Sequence, residues 1–231
     1  MVQPFGIKNI GSSCYANAVV QALISCRLIN FNFLNIEQLI KEFGFIGQQD
    51  ALEFMLAFID KYKFDSLFES KWNIGLYCRN CRTVVTNFTD SMTAIGIEKK
   101  ICVFNNVENI ANYLIMNLAP LADYKCPKCG CSEFCKVSKI SHLPKILAIY
   151  FLKYDGKWKP HQYDSVMNLY GREYELRSVV HHSGNNGRGH YTCSAVRDDG
   201  TYLFDDEKFM RMPMMRGKND YILFYELKIK I

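Results

Sequence analysis

The sequence predicts an α+β fold: a helical amino-terminal part, a cysteine-flanked middle segment and an antiparallel carboxy-terminal sheet. Three observations carry this. Two helix-period apolar patterns precede Lys63, two Cys-x-x-Cys pairs flank the middle, and four β-branched or aromatic runs follow Ile146 between Gly, Asn and Asp clusters. With 231 residues, 49% of them hydrophobic, the chain has material for one sizeable core and a small satellite unit.

The first helix follows Cys14, where Tyr15, Ala18, Val19, Ala22 and Leu23 fall on one side. A second follows Gln48, with Leu52, Met55, Phe58, Ile59 and Tyr62 at helical spacing. A third is predicted from Asn105, whose side chain and Glu108 form a capping box ahead of Val107, Ile110, Ala111 and Leu114. Strands are expected at Leu147–Tyr154, Tyr174–His181, His190–Val196 and Tyr221–Leu227. The turn Arg197-Asp198-Asp199-Gly200 joins His190–Val196 to Thr201–Asp205 as a hairpin.

The formal charge of +5 is spread along the chain without long basic runs, which speaks against nucleic acid. The start Met1-Val2-Gln3-Pro4 has no signal-like region and no stretch nears the roughly 18 apolar residues of a membrane span. The expectation is an intracellular, reducing location, cytosol or nucleus, with no membrane partner and a monomeric chain. Ten cysteines without a signal then favour metal ligation over a disulfide scaffold.

Cys14 follows a Gly-Ser-Ser turn at the first turn of its helix, where the helix dipole is expected to lower the thiol pKa. Its own N–H and the side-chain amide of Asn9 are candidate donors to an oxyanion. His190 lies at a strand start after glycines, and the hairpin brings it close to opposite Asp205, an arrangement that holds an imidazole in one tautomer. His181 and His182 are the alternative bases. A nucleophile, base, orienting carboxylate and amide donor together describe a thiol hydrolase.

These motifs resemble the ubiquitin-specific proteases, papain-like deubiquitinating enzymes. Gly6 to Asn17 is similar to their cysteine box. The histidine box is matched by Tyr174-Glu175-Leu176, His182-Ser183-Gly184, Gly189-His190-Tyr191 and Phe204-Asp205-Asp206. Gln48-Gln49-Asp50-Ala51-Leu52-Glu53-Phe54, Leu143-Pro144-Lys145-Ile146-Leu147 and Asp220-Tyr221-Ile222-Leu223-Phe224-Tyr225 follow in family order, while Thr201 stands where the family usually has Trp. The resemblance spans nearly the whole chain. It implies a papain-like fold with a zinc-bearing β finger at residues 71–142 inserted in one catalytic domain, 1–231. It implies Cys14 as nucleophile, His190 as base, Asp205 as orienting carboxylate and Asn9 as oxyanion donor. Asp50 would meet an arginine of the Leu-Arg-Gly-Gly tail of ubiquitin, or cap its helix, and Gly11 and Gly189 would narrow the channel for the two glycines.

Cys78-Arg79-Asn80-Cys81 and Cys126-Pro127-Lys128-Cys129 supply four thiolates in two knuckles, the natural tetrahedral set for one structural zinc ion. Unpaired thiols and a disulfide are the other readings, and Cys131 and Cys135 are spare ligands. The expected partners are ubiquitin and ubiquitinated proteins. The expected reaction is thiol-dependent hydrolysis after the last glycine of ubiquitin, the alternatives being another modifier with the same ending or a ubiquitin-binding module without catalysis.

Overall fold

Apolar residues on every side of the segment after Cys14 demand a helix surrounded by protein. In the computed structural model, which describes residues 3–28, 35–98, 113–117, 124–152, 163–185 and 188–229, helix α1 (Cys14–Ser25) is buried along all twelve residues. Polar side chains at its far end have partners, Gln21 donating to the Phe5 carbonyl at 2.7 Å and Ser25 Oγ reaching the carbonyls of Arg177 and Val196 at 2.7 and 3.0 Å, while Tyr15 Oη is buried without one among the described residues. Short helix α2 (Ile36–Glu42), capped by Asn35, was not foreseen, since only Ile36 and Leu39 of its seven residues are buried. Helix α3 (Ala51–Lys61) is the second predicted helix, beginning at Asp50 as N-cap, and α4 (Asp65–Phe68) is one turn.

Among the described residues, twelve strands form two sheets. The first is four-stranded, in the order β2 (Val84–Met92), β1 (Ser70–Cys78), β5 (Phe134–His142), β4 (Tyr113–Asn117). The helix predicted from Asn105 is corrected at its described end: residues 113–117 form an edge strand paired with β5, while 105–112 lie outside the described residues. Tyr113-Leu114-Ile115-Met116 is a short apolar run that periodicity alone does not assign, and the neighbouring edge of β5 decides it.

The second sheet has the order β11 (Lys208–Arg211), β10 (Gly200–Asp205), β9 (Arg188–Arg197), β8 (Arg172–Asn185), β12 (Asp220–Leu227), β6 (Ile146–Leu152), β3 (Ile95–Glu98), with β7 (Val166–Leu169) on β8. The four expected strand runs are β6, β8, β9 and β12. β3 joins β6 in parallel, so the chain between the two cysteine pairs returns once to the large sheet. Side chains alternate between the faces. Ala148, Val180, Cys193, Ile222 and Phe224 meet α1 and α3 in one core, while Leu147, Val179, Leu223 and Tyr225 join Trp72 and Ile74 of the smaller sheet in another. Among the described residues, no helix is long and apolar enough to cross a membrane.

Candidate active site

The loop before α1 is shaped by its own side chains. Asn9 Oδ1 accepts the N–H groups of Gly11 and Ser13 at 3.1 and 3.2 Å, and Ser13 Oγ accepts that of Ile10 at 3.0 Å. Gly11 and Ser12 both have positive φ, 86° and 71°, turning the chain sharply into the helix. A Cβ on Gly11 would meet open space, so its glycine is a conformational need. Cys14 is the first helical residue and 4% exposed.

The predicted lowering of its thiol pKa is corrected. Burial pushes the Cys14 thiol up, aided by the Asp206 carboxylate, and outweighs the N–H groups of Tyr191, Tyr15 and Cys14 that pull it down. The thiol proton is therefore retained above the pH at which an ordinary cysteine loses it. We expect the rate of Cys14 alkylation by iodoacetamide in the free enzyme to rise with pH through a midpoint above that of a cysteine in an unfolded peptide. A plateau already reached at pH 5 would contradict this.

The Tyr191 N–H beside Cys14 belongs to the residue after His190. His190 Nε2 lies 2.6 Å from Asp205 Oδ1, leaving Nδ1 for another group. Asp205 is not opposite His190: Phe204 pairs with Cys193, which aligns Asp205 with Thr192 and makes His190 its diagonal same-face neighbour. The side chains of His190 and Asp205 are 45% and 49% exposed, open to a substrate. The two alternative histidines are placed elsewhere. His181 is buried against Asp220 and Ser194, and His182 stacks on Tyr191 at 4.5 Å between ring centroids.

Asp206, given no role by the sequence, is the hub of the site. Its carboxylate accepts Asn9 Nδ2 at 2.8 Å and Asn17 Nδ2 at 2.7 Å, and its carbonyl accepts the Ile7 N–H at 2.8 Å. It does so at φ 51°, unusual for a non-glycine residue. The approach is close: a Cβ on Gly6 would lie 2.0 Å from the Glu207 carbonyl oxygen. The repeated acid in Phe204-Asp205-Asp206 was the available sequence signal. Asp206→Ala is expected to lower kcat by about 100-fold, in the range of a lost oxyanion donor, because Asn9 loses its orienting partner. A kcat within threefold of wild type would show that Asn9 is held without it.

Gln48 donates to the Gly189 carbonyl, fixing the turn before His190. A Cβ at Gly189 would come within 2.2 Å of His182 Nε2 and 2.9 Å of the Ser183 carbonyl, so that position admits only glycine without rearrangement. Asp50 caps α3, accepting the Leu52 N–H at 2.7 Å, and also accepts Tyr221 Oη at 2.9 Å and Tyr191 Oη at 3.3 Å. Next to Thr201, Tyr202 is buried against Phe204 and Phe209.

At the tip of the smaller sheet, Sγ of Cys78 and Cys129 are 3.5 Å apart and those of Cys81 and Cys126 are 3.6 Å apart, all four within 4.8 Å of one another. Tetrahedral thiolates at ~2.3 Å from zinc would be about 3.8 Å apart, so the four fit a metal ion. Hydrogen bonds with Thr83 pull the Cys81 thiol down to about 6, whereas, against the Cys81 N–H, burial and the neighbouring Cys129 and Cys81 thiols push the Cys78 thiol up to about 12. Cys131 and Cys135 lie outside this group; Cys131 Sγ instead accepts the Glu133 N–H at 3.3 Å. His190, Asp205 and Asp206 also come within 4.8 Å of one another, but their hydrogen bonds already engage each of them.

A buried helix-start thiol beside a His-Asp pair, with a sheet behind and a thiolate knuckle at the end of a smaller sheet, defines a thiol hydrolase of papain-like build. Solved structures share the fold. The SAGA Ubp8/Sgf11/Sus1/Sgf73 DUB module bound to ubiquitin aldehyde matches with a TM-score of 0.73 at 18% identity, over 98% of this chain and 70% of that one. The Ubp8-Sgf11-Sgf73-Sus1 SAGA DUB module matches at 0.70 and 16% over 98% and 68%, and the yeast module carrying a substituted Sgf73 at 0.69 and 17% over 98% and 69%. The model of the ubiquitin carboxyl-terminal hydrolase family matches residues 33–225, and the chain belongs to that family, as a thiol-dependent deubiquitinating enzyme. The matched span holds His190, Asp205 and all four clustered cysteines, and begins after Cys14.

Proposed function

We propose that the chain hydrolyses the isopeptide or peptide bond after the last glycine of ubiquitin, with Cys14 as nucleophile and His190 as base. The observation that carries this is the His190–Asp205 pair at 2.6 Å, one residue from the Tyr191 N–H that touches the Cys14 thiol. Because burial keeps Cys14 protonated, His190 takes the thiol proton as sulfur attacks the glycine carbonyl. The Cys14 N–H and Asn9 Nδ2, aimed by Asp206, hold the oxyanion. Imidazolium His190 then gives the proton to the departing amine. Water, deprotonated by His190, displaces sulfur, and ubiquitin leaves with a free carboxylate.

Asp50 would meet the arginine of the ubiquitin tail with a carboxylate held in place by its helix cap, one tyrosine hydroxyl giving way to the guanidinium. Gly11 and Gly189 would flank the last two glycines. In this proposal the finger lies within residues 71–142, inserted in a single catalytic domain with β3 returning to the large sheet, and Cys78, Cys81, Cys126 and Cys129 hold one structural zinc ion, which ties the two knuckles together. Thiols of this number need a reducing compartment, hence cytosol or nucleus. The similar structures hold their catalytic chain in a module with Sgf11, Sus1 and Sgf73, so the monomer expected from the sequence is a separate proposal, read from the solution mass of the isolated chain.

Release of a fluorogenic amine from the ubiquitin carboxyl terminus tests this function. Turnover by the wild type and its loss in His190→Ala are expected. Release only from another modifier ending in two glycines would change the substrate, and no release from a folded, zinc-loaded chain would favour a binding module.

A further inference from the structure

The sheet that presents His190 contains a second histidine that the mechanism does not use. In the register of β8 and β9, His181 is opposite Thr192 and Ser183 is opposite His190. Alternation puts His190, Thr192, Ser194 and His181 on one face, with His181 diagonal to both His190 and Ser194, about 7–8 Å from each by backbone spacing. From the other side Asp220 of β12 pairs with His181. A line of side chains thus crosses three strands: Asp220 Oδ1 to His181 Nδ1 at 2.9 Å, and His181 Nε2 to Ser194 Oγ at 2.9 Å. The connectivity is that of a serine-histidine-aspartate triad, yet the three residues are 3% (His181), 0% (Ser194) and 1% (Asp220) exposed, so no acyl substrate reaches the hydroxyl.

The line crosses a weak point of the sheet. The β12–β8 ladder shifts register between Asp220 and Ile222, a bulge that leaves Tyr221 out of the ladder, with its hydroxyl on Asp50. Asp220 is fixed there by the Gly217 N–H at 2.7 Å and by Tyr163 Oη at 2.5 Å. Side-chain bonds replace the lost ladder contacts at the level of the strands where His190 must be aimed.

We propose that His181 is a positioning residue for His190: bonded to Asp220 on one side and Ser194 on the other, this β8 side chain ties β9 across β8 to the bulged start of β12 and sets the placement of the base. This rests on the reading of His190 as the base. The β8–β9 ladder itself is unbroken, so loss of these bonds leaves the strands paired but relaxes the tie of β9 to the bulged start of β12, and displacements of about 1 Å at reacting groups can cost on the order of 100-fold in rate.

The test is steady-state hydrolysis of a ubiquitin fluorogenic amide by the full chain, with melting temperatures in parallel. Ser194→Ala removes only the link to β9, and His181→Phe keeps the ring while removing both links. We expect kcat to fall at least tenfold in His181→Phe and at least threefold in Ser194→Ala, with KM within twofold of wild type. His181→Asn, whose amide can still donate to Asp220, should recover part of the loss. Ser178→Ala, which removes an equally buried hydroxyl bonded to the Ala22 carbonyl and the Cys26 thiol, away from the catalytic residues, is expected to lower the melting temperature and leave kcat unchanged. If Ser194→Ala folds and keeps wild-type kcat, or loses no more than Ser178→Ala, the positioning role is overturned. His190→Ala in the same series separates the two readings: turnover retained there removes the base assignment itself.

Discussion

Cys14→Ala is expected to reduce turnover to background, a loss of about a hundred-thousandfold, while binding of free ubiquitin stays within a fewfold of wild type. Among the described residues the site offers no substitute nucleophile, because the Cys26 and Cys193 thiols are buried in the core. The fold has little to lose: alanine suits the helix position, and the removed sulfur contributes no structural bond to another side chain. Turnover by single-exponential release of a fluorogenic amine and affinity by calorimetry would separate the two effects. Parallel loss of binding would mean that Cys14 shapes the tail channel and does not act as nucleophile alone.

The second large effect is on stability. Removal of metal by a strong chelator, or Cys126→Ser, is expected to unfold the end of the smaller sheet and lower the melting temperature by ten degrees or more. Among the described residues, the buried cluster at that tip is Cys78, Cys126 and Phe134, with Leu76 and Val85 half-buried against it, too little apolar surface to fix strands of nine residues without another restraint. His190 and Asp205 stand on the other sheet, so hydrolysis of a small thioester by the chelated protein should persist while hydrolysis of ubiquitin falls. One zinc per chain by elemental analysis is the companion measurement. A metal-free protein with the same melting curve would leave the four thiols as a reduced cluster only.

Both predictions draw on features legible in the sequence to different degrees. Helix α1 was readable because its apolar residues recur at helical spacing, and the β9–β10 hairpin because Arg197-Asp198-Asp199-Gly200 separates two strand-like runs. The small helix α2 and the parallel strand β3 were not, since a seven-residue helix with two buried positions and a four-residue strand carry almost no periodic signal. At the site, residue types and order nominated Cys14, His190, Asp205 and Asn9 as candidates, and the fold brings His190 onto Asp205 and Asn9 onto Asp206. The sign of the Cys14 shift was misjudged because the helix dipole is local and visible in sequence, whereas burial is a property of the assembled fold. Asp206 was missed for a similar reason: its role depends on a positive φ and on three partners nearly two hundred residues away. Asp50 shows two causes meeting in one residue, a helix cap set by its neighbours and a tyrosine pair supplied by distant strands.

The central claim is that Cys14 attacks the terminal glycine of ubiquitin. Ubiquitin bearing a carboxy-terminal electrophile tests it most directly, with the adduct located by mass spectrometry of the digested protein and other glycine-terminated modifiers run alongside. A single ubiquitin per chain, attached at Cys14 and absent in Cys14→Ala, is expected. An adduct on another cysteine, or none in a folded and zinc-loaded chain, would contradict it.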